Sequence, residues 1–438
     1  MNVLIVGGGG REHAIAWKLK QSPRVDKLYC APGNAGIAGI AELVAIKASD
    51  LAGLVDFARN NTIDLVFVAP DDPLAMGLVD DLEKAGIRAF GPRRSAAAIE
   101  ASKSFAKDLM NRYGIPTAGY HVFQDEQRAV AWLQRSELPI VVKADGLALG
   151  KGVVIAETRE QAVQAVHEMM SGQVFGAAGK TVILESFLTG PELTVLAFTD
   201  GWTVKPMVTS RDHKRALDGD QGLNTGGMGA IAPGADLDQP MLDEMQRTIF
   251  QPTIDAMRAE GRLFQGVIYF GLMLTPQGPK VIEYNARFGD PEAQAVLPLL
   301  ETDLIDLVDA IIDQRLADQP IRWKQACSCC LVLASGGYPG SYTTGYPIEG
   351  LDAMPDDCLV FHAGTRLAEG QLVTAGGRVL GLTCVKPSLE EAIDAAYAAA
   401  AMVNFQDMHF RHDIGRTLSG QGSDKLLQDS SSMGRIQS

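Results

Sequence analysis

The stretch VIEYNARFGDPE, residues 281–292, changes its pattern partway along. It begins as an apolar strand and then alternates, with Glu283, Asn285 and Arg287 separated by Tyr284, Ala286 and Phe288. A strand buried on both faces stays apolar, and a half-buried one alternates throughout. In an extended chain the three polar groups project to one side, with neighbours two apart spaced about 7 Å along the strand. Glu283 and Asn285 offer hard oxygen donors of the kind that Mg²⁺ or Mn²⁺ takes while keeping phosphate and water ligands. Arg287 then stands where it can grip a phosphate or carboxylate bidentately. A half-buried strand with an ion pair is the plainer alternative, and the metal–phosphate clamp is preferred to it.

The chain has 438 residues, which suggests about three domains of roughly 150 residues each. Its 39 basic and 53 acidic residues leave a net charge of -14, which argues against a nucleic-acid or anionic-membrane partner. Any phosphate must therefore be held by local lysines, arginines and backbone N–H groups. MNVLIVGGGG runs from an apolar strand straight into glycines and reads as a first strand, not a signal peptide. No apolar run approaches the ~20 residues of a membrane span. The six cysteines have no framework spacing; Cys327, Cys329 and Cys330 lie in an apolar run and read as buried strand residues, consistent with a reducing cytoplasm.

Upstream, residues 3–6, 43–46 and 64–70 read as strands, and 12–20, 51–60 and 73–85 as helices. That alternation predicts βαβ units and a parallel sheet, ending in a junction at 90–103. From about residue 120 the pattern becomes α+β, with a hairpin and a helix over 159–171. A polar loop is expected over 210–233, then a helix near 242–260 and strands at 266–274 and 279–285. A β-rich module follows from 326 to about 385, closed by a helix over 389–403. The segment 421–438 has few large apolar residues and reads as a disordered tail. The expected division is 1–102, 103–325 with a lobe at about 120–192, and 326–420.

Three further segments carry chemistry. VGGGGREHA invites a GxGxxG reading, but Glu12 stands where the third glycine belongs, so a dinucleotide site and a dehydrogenase are weakly supported. Its glycines and Arg11 suit an anion at a helix N-terminus, and a plain strand-to-helix turn fits equally well. KADGLALGKGVVI (143–155) brackets a glycine loop with Lys143 and Lys151 between two strands, and a polyphosphate beneath that loop is preferred to a plain hairpin. Glu185 and Glu192 flank a Gly-Pro turn, where a solvated rim is the ordinary reading. His213, in the polar loop, is a candidate base, with an ordinary surface histidine as the alternative.

Taken in order, GGREHA, APGNAG, FGP, KADGLALGKGV, DHKR, NTGGMGA, NARFGDPE, GGYPG, FHAGT and GGRVL resemble the ATP-grasp family, and within it the glycinamide ribonucleotide synthetases. The resemblance covers residues 1 to about 416. It implies an N-terminal α/β domain, an ATP-grasp fold of two lobes and a small C-terminal β-rich domain. It implies ligation of glycine to 5-phosphoribosylamine with ATP, through an acyl phosphate and with no protein nucleophile. By the same resemblance Lys103 and Lys143 would contact ATP phosphates and Gly150, Lys151 and Gly152 would form a lid. Glu185 and the backbone near Phe187 would hold adenine, and Glu192 the ribose. Glu283 and Asn285 would be the Mg²⁺ or Mn²⁺ ligands. Gly8, Gly10, Arg11, Glu12, Asn34, Asp71, Asp212, Lys214, Asn224, Thr225, Gly227, Arg287 and Asp290 would face the amine and glycine, with Arg287, Asp290 and Lys143 nearest the chemistry. Asp71 stands where the family usually has glutamate, Leu149 replaces a small residue and Leu223 a proline. These departures bear on acceptor affinity and lid mobility more than on reaction class. A different acid or amine, and an ATP-binding protein without turnover, are the competing readings. The expected assembly is a cytoplasmic monomer or weak homodimer.

Overall fold

The structure, a computed structural model, describes residues 1–146, 152–171, 179–235 and 237–416. The expectations for Leu149, Gly150, Lys151 and the 421–438 tail lie outside the described residues.

The N-terminal sheet is parallel, in the order β3-β2-β1-β4-β5, from β1 (Asn2–Gly7), β2 (Lys27–Pro32), β3 (Glu42–Leu43), β4 (Leu65–Val68) and β5 (Arg88–Phe90). Helices α1 (Gly10–Leu19), α2 (Leu51–Asn60), α3 (Asp71–Met76) and α4 (Leu78–Lys84) connect it. KLYCAP forms β2, which alternation alone did not mark, and the strand expected at 43–46 keeps only its first residue. The helix expected over 73–85 is broken at Gly77, whose φ of 100° no continuing helix accepts. The junction then supplies two helices, α5 (Arg94–Ala101) and α6 (Lys103–Arg112).

The lobe that follows is an antiparallel sheet in the order β6-β9-β7-β8: β6 (Tyr120–Phe123), β7 (Ile140–Ala144), β8 (Val153–Ala156) and β9 (Val182–Ser186). Helices α7 (Glu126–Leu133) and α8 (Arg159–Met170) cover one face and share a core of their own with it. Thr158 and Gln161 cap α8 reciprocally, the S/T-x-x-Q signature being visible in the sequence.

A second antiparallel sheet, β11-β10-β16-β17, joins β10 (Glu192–Thr199), β11 (Val204–Pro206), β16 (Gly266–Thr275) and β17 (Gly278–Asn285). The segment expected to be a polar loop over 210–233 is instead four short strands: β12 (Arg211–Asp212), β13 (Arg215–Leu217), β14 (Gln221–Asn224) and β15 (Gly229–Ala232). Gly229 to Ala232 is fully buried, because β15 pairs with β18 (Cys327–Ser335) of the C-terminal module. Cys329 and Cys330 are buried on that strand. The sheet continues as β12-β15-β18-β22-β19, with β19 (Cys358–His362), the hairpin β20 (Thr365–Ala368) and β21 (Gln371–Thr374) beside it, and β22 (Arg378–Lys386). A division at residue 326 therefore runs through one sheet. Helices α9 (Gln239–Met245), α10 (Gln251–Ala259), α11 (Glu292–Val296), α12 (Leu304–Ile312) and α13 (Leu389–Ala400) pack around these sheets, and β23 (Met408–His409) adds to β18. Among the described residues no helix is long and apolar enough to cross a membrane.

Candidate functional site

A cleft of about 1220 Å³ lies where the two antiparallel sheets, the N-terminal loops and the C-terminal module meet. At one end stand Lys103, Lys107, Lys143 and Glu185. Lys143 Nζ lies 3.0 Å from one Glu185 carboxylate oxygen and Lys107 Nζ 2.8 Å from the other. Burial favours the neutral acid, yet the two ammonium groups outweigh it and hold Glu185 below the usual carboxylate range. Burial also pulls Lys107 down to about 8 and lowers Lys103. Lys107 donates to Thr117, whose hydroxyl donates to the Val281 carbonyl, and Lys143 donates to the Ile282 carbonyl. The lysine cluster is thereby tied to strand β17. Glu185 is 3% exposed, so the solvated rim expected of an isolated acid does not describe it; burial between two lysines does. Phe187 and Glu192 line the same end and keep solvent contact.

Strand β17 reaches the cleft through a bulge. Gly271 opposes Glu283 while Leu272 opposes Val281, so one residue is extra and the parity flips. Val281 and Tyr284 are buried, and Ile282, Glu283 and Asn285 line the cleft, followed by Arg287. Gly271 is needed opposite: a Cβ there would approach Glu283 Cγ to 2.9 Å. Lys214 Nζ lies 3.0 Å from Glu283, and that cation draws the Glu283 carboxyl down to about 2 against the effect of burial. Arg287 donates to the Asn285 amide oxygen at 3.2 Å and pairs with Glu100 at 2.9 Å. The other Glu100 oxygen accepts the Ala286 N–H at 2.7 Å. Glu100 was not found from the sequence. Only the structure shows that it shares the buried face of α5 with Ala96, Ala97 and Ile99.

The donor set can be tested against a divalent cation. Glu283 and Asn285 present a carboxylate and an amide oxygen on the cleft face, both hard ligands. Among the described residues no group of three or more His, Cys, Asp or Glu side chains is placed to hold a metal by itself. The pair therefore fits an ion that brings phosphate and water ligands of its own, and not a protein cage.

At the far end Arg11, Asp71, Asp212, Asn224, Thr225 and Asp290 line the cleft. Both Asp290 oxygens are engaged, one by Arg378 at 3.0 Å and one by Gln294 at 2.6 Å. Burial, then the neighbouring Glu292, raises Asp212 well above the carboxylate range. Lys107, Glu292 and Arg378 also line the cleft, and sequence reading had passed over all three. Gly8, Gly10, Glu12, Asn34 and Gly227 do not line it. Glu12 accepts the Gly9 N–H and pairs with Arg11 in the first turn of α1. The Asn34 amide donates to the Gly8 and His362 carbonyls, and its oxygen accepts from Gly36 and Ile37. A Cβ on Gly8 would come within 2.5 Å of the Gly33 carbonyl oxygen. Gly227, at φ 118°, packs against Pro291 and Asp212. These residues shape the wall from behind. His213 is 8% exposed, so it is not the surface histidine that is ordinary for such a loop.

Three family models match the chain: phosphoribosylglycinamide synthetase N domain over residues 1–100, ATP-grasp (A) domain over 101–293 and C domain over 328–417. A phosphoribosylamine–glycine ligase of Halalkalibacterium halodurans is 49% identical over 415 residues, 95% of this chain and 96% of that protein. One of Caldanaerobacter subterraneus subsp. tengcongensis is 46% identical over 414 residues, 94% of this chain and 99% of that protein. The crystal structure of a phosphoribosylamine–glycine ligase from Thermotoga maritima superposes with a TM-score of 0.84 at 30% identity, over 94% of this chain and all of that one.

Proposed function

The chain belongs to the phosphoribosylglycinamide synthetase family, and from that premise we propose that it joins glycine to 5-phosphoribosylamine with ATP, giving glycinamide ribonucleotide, ADP and phosphate. The observation that supports this best is that the buried lysine cluster and the Glu283–Asn285–Arg287 row share one cleft. Such a cleft suits a reaction that needs charge stabilisation and positioning more than a protein nucleophile.

A glycine carboxylate oxygen attacks the γ-phosphorus, the bond to the β-phosphate oxygen breaks, and ADP leaves with that electron pair. The amine of phosphoribosylamine then attacks the glycyl carbonyl carbon, phosphate departs, and the nitrogen gives up a proton. Lys103 and Lys143 offset the triphosphate charge from the end of the cleft where both ammonium groups are held. A divalent cation held by Glu283 and Asn285, when bound, adds positive charge at the phosphate oxygens. Arg287, aimed by Glu100, orients an oxyanion beside that row. Phe187 and Glu192 border the nucleoside, and Glu185 fixes the two lysines in place of contacting the base through its carboxylate.

Phosphate release from ATP with Mg²⁺, glycine and freshly made phosphoribosylamine, each omitted in turn, tests the reading. Release that needs both co-substrates, with the amide product seen by mass spectrometry, is expected. ATP binding without such release, or release with a different amino acid or amine only, would overturn it.

A further inference from the structure

The strand that carries Asp212 and Lys214 toward the reacting groups carries two other side chains on its opposite face. Arg211 pairs with Ile231 and Asp212 with Ala230, and the His213 N–H donates to the Gly229 carbonyl, so the segment is extended throughout. Arg211 and His213 therefore share one side and Asp212 and Lys214 the other. Both of the first pair line the cleft, in a lobe completed by Arg411, Asp220 and Asp413.

The donors of that lobe are not used up. His213 Nε2 accepts the Gly415 N–H at 3.2 Å, which leaves the proton of a neutral ring on Nδ1. That N–H is buried and has no partner among the described residues, and the side chain is 8% exposed. Burial, then the charges of Arg211 and Arg411, pulls His213 down to about 4, so the ring is neutral near pH 7. Arg211 Nε is likewise buried and unpartnered among the described residues. The carboxylates beside it are committed elsewhere: Asp220 and Asp413 both pair with Arg411, at 2.8 and 2.7 Å. A half-buried guanidinium whose Nε–H has neither water nor a carboxylate to accept it draws an anion, because that donor is otherwise lost from water without replacement.

We propose that Arg211 and His213 form an anion subsite of the cleft that takes a phosphoryl group. A planar guanidinium with an imidazole N–H beside it offers several donors on one side, which matches the oxygens of a phosphate. The assignment of the ligand rests on the ligase reading, which supplies two sources: the 5-phosphate of the sugar acceptor and the orthophosphate the reaction releases.

Calorimetric titration of the full chain with ribose 5-phosphate, ribose and orthophosphate separates the possibilities. The wild type is expected to bind ribose 5-phosphate at least about tenfold more tightly than ribose, and Arg211→Gln to lose that preference while binding ATP within about twofold of wild type. Displacement of ribose 5-phosphate by orthophosphate marks the lobe as the acceptor's phosphate site. Arg211-dependent binding of orthophosphate alone marks it as the site of the released phosphate. If Arg211→Gln does not fold, Arg211→Lys keeps the charge but loses the fork, and a loss of about threefold or more is expected. A folded variant that binds both phosphates as the wild type does would overturn the subsite even where the wild type ligates glycine. Arg211-dependent phosphate binding in a protein that does not ligate glycine would instead overturn the ligase reading and leave the subsite standing.

Discussion

Glu100 governs two neighbours at once, the Arg287 guanidinium and the Ala286 N–H. Burial raises its carboxyl, and the Arg287 charge opposes that. Glu100→Gln keeps an acceptor for the backbone but strips the charge that balances a buried arginine. Leaving one partner of such a pair unmatched costs about 3–5 kcal/mol of stability, so the Tm is expected to fall by several degrees, and the loss of aim at Arg287 to lower kcat/KM by roughly 100-fold. Steady-state kinetics and a melt check this; unchanged kinetics would mean that Arg287 needs no such support. Glu283→Gln is the companion case. It keeps the shape and removes the carboxylate that Lys214 contacts, with an expected loss of at least about 100-fold in turnover and a Tm within a few degrees of wild type. Full activity in Mg²⁺ would place the cation elsewhere. That Glu283, Asn285 and Arg287 line one cleft was legible from their spacing. Glu100 and Lys107 were not, because a single charge on a helix looks like an ordinary solvated residue until its burial is known.

At the scale of elements, the bulge in β17 matters more than any one ligand. Without it Ile282 would face away from Glu283, and the Ile282 carbonyl that Lys143 reaches would change sides. The sequence held no sign of the extra residue, nor of β15, whose longer pairing is with β18 almost a hundred positions later and whose nearer partner, β12, is only two residues long. Local pattern predicts elements whose partners are near in the chain, as in the N-terminal βαβ units; long-range pairing leaves no local trace. A different long-range contact can be titrated. His13 on α1 accepts the His362 N–H of β19 through Nδ1 at 2.8 Å, and its ring meets Phe361 edge-on. Burial, with His362 adding to it, pulls His13 down to about 3. Between pH 6.5 and 3 the unfolded chain binds a proton that the folded chain refuses, so stability falls as pH drops through that window. At pH 4.5 the cost is about 2–3 kcal/mol. His13→Asn, which keeps an acceptor and does not titrate, should lose less stability between pH 7 and 4.5 in urea unfolding. Parallel curves for the two proteins would show that His13 is not held neutral.

Over the whole molecule the buried residues fall into unequal groups. One large core joins β1, β4, α5 and α6 to β16 and β17, and another joins α1 and β10 to α11, α12 and the C-terminal sheet. The sheet of β6 to β9 stands apart: among the described residues its core draws only on those between Phe123 and Leu184. A small core with few outside contributors opens at lower free energy than the cores that span the chain. This lobe also carries Lys143 and Glu185, while Lys107 and the Ile282 carbonyl, which hold them, belong to the larger cores. A ligand that binds across the cleft must then favour the closed form of the lobe, because opening it parts the lysine cluster. At 100 times its dissociation constant such a ligand adds about 2.7 kcal/mol, or roughly 100-fold in protection of amides that exchange through that opening. Hydrogen exchange read by mass spectrometry, with and without ATP and Mg²⁺, makes the comparison. Peptides covering 140–146 and 182–186 are expected to exchange faster than those of β1 and β16 without nucleotide, and to slow by one to two orders of magnitude with it. Equal protection in the absence of ligand would mean that the lobe opens only with the rest of the fold. Unequal protection that ATP leaves unchanged would mean that the nucleotide does not bridge the lysine cluster to β17, and the roles given to Lys103 and Lys143 would fall with it.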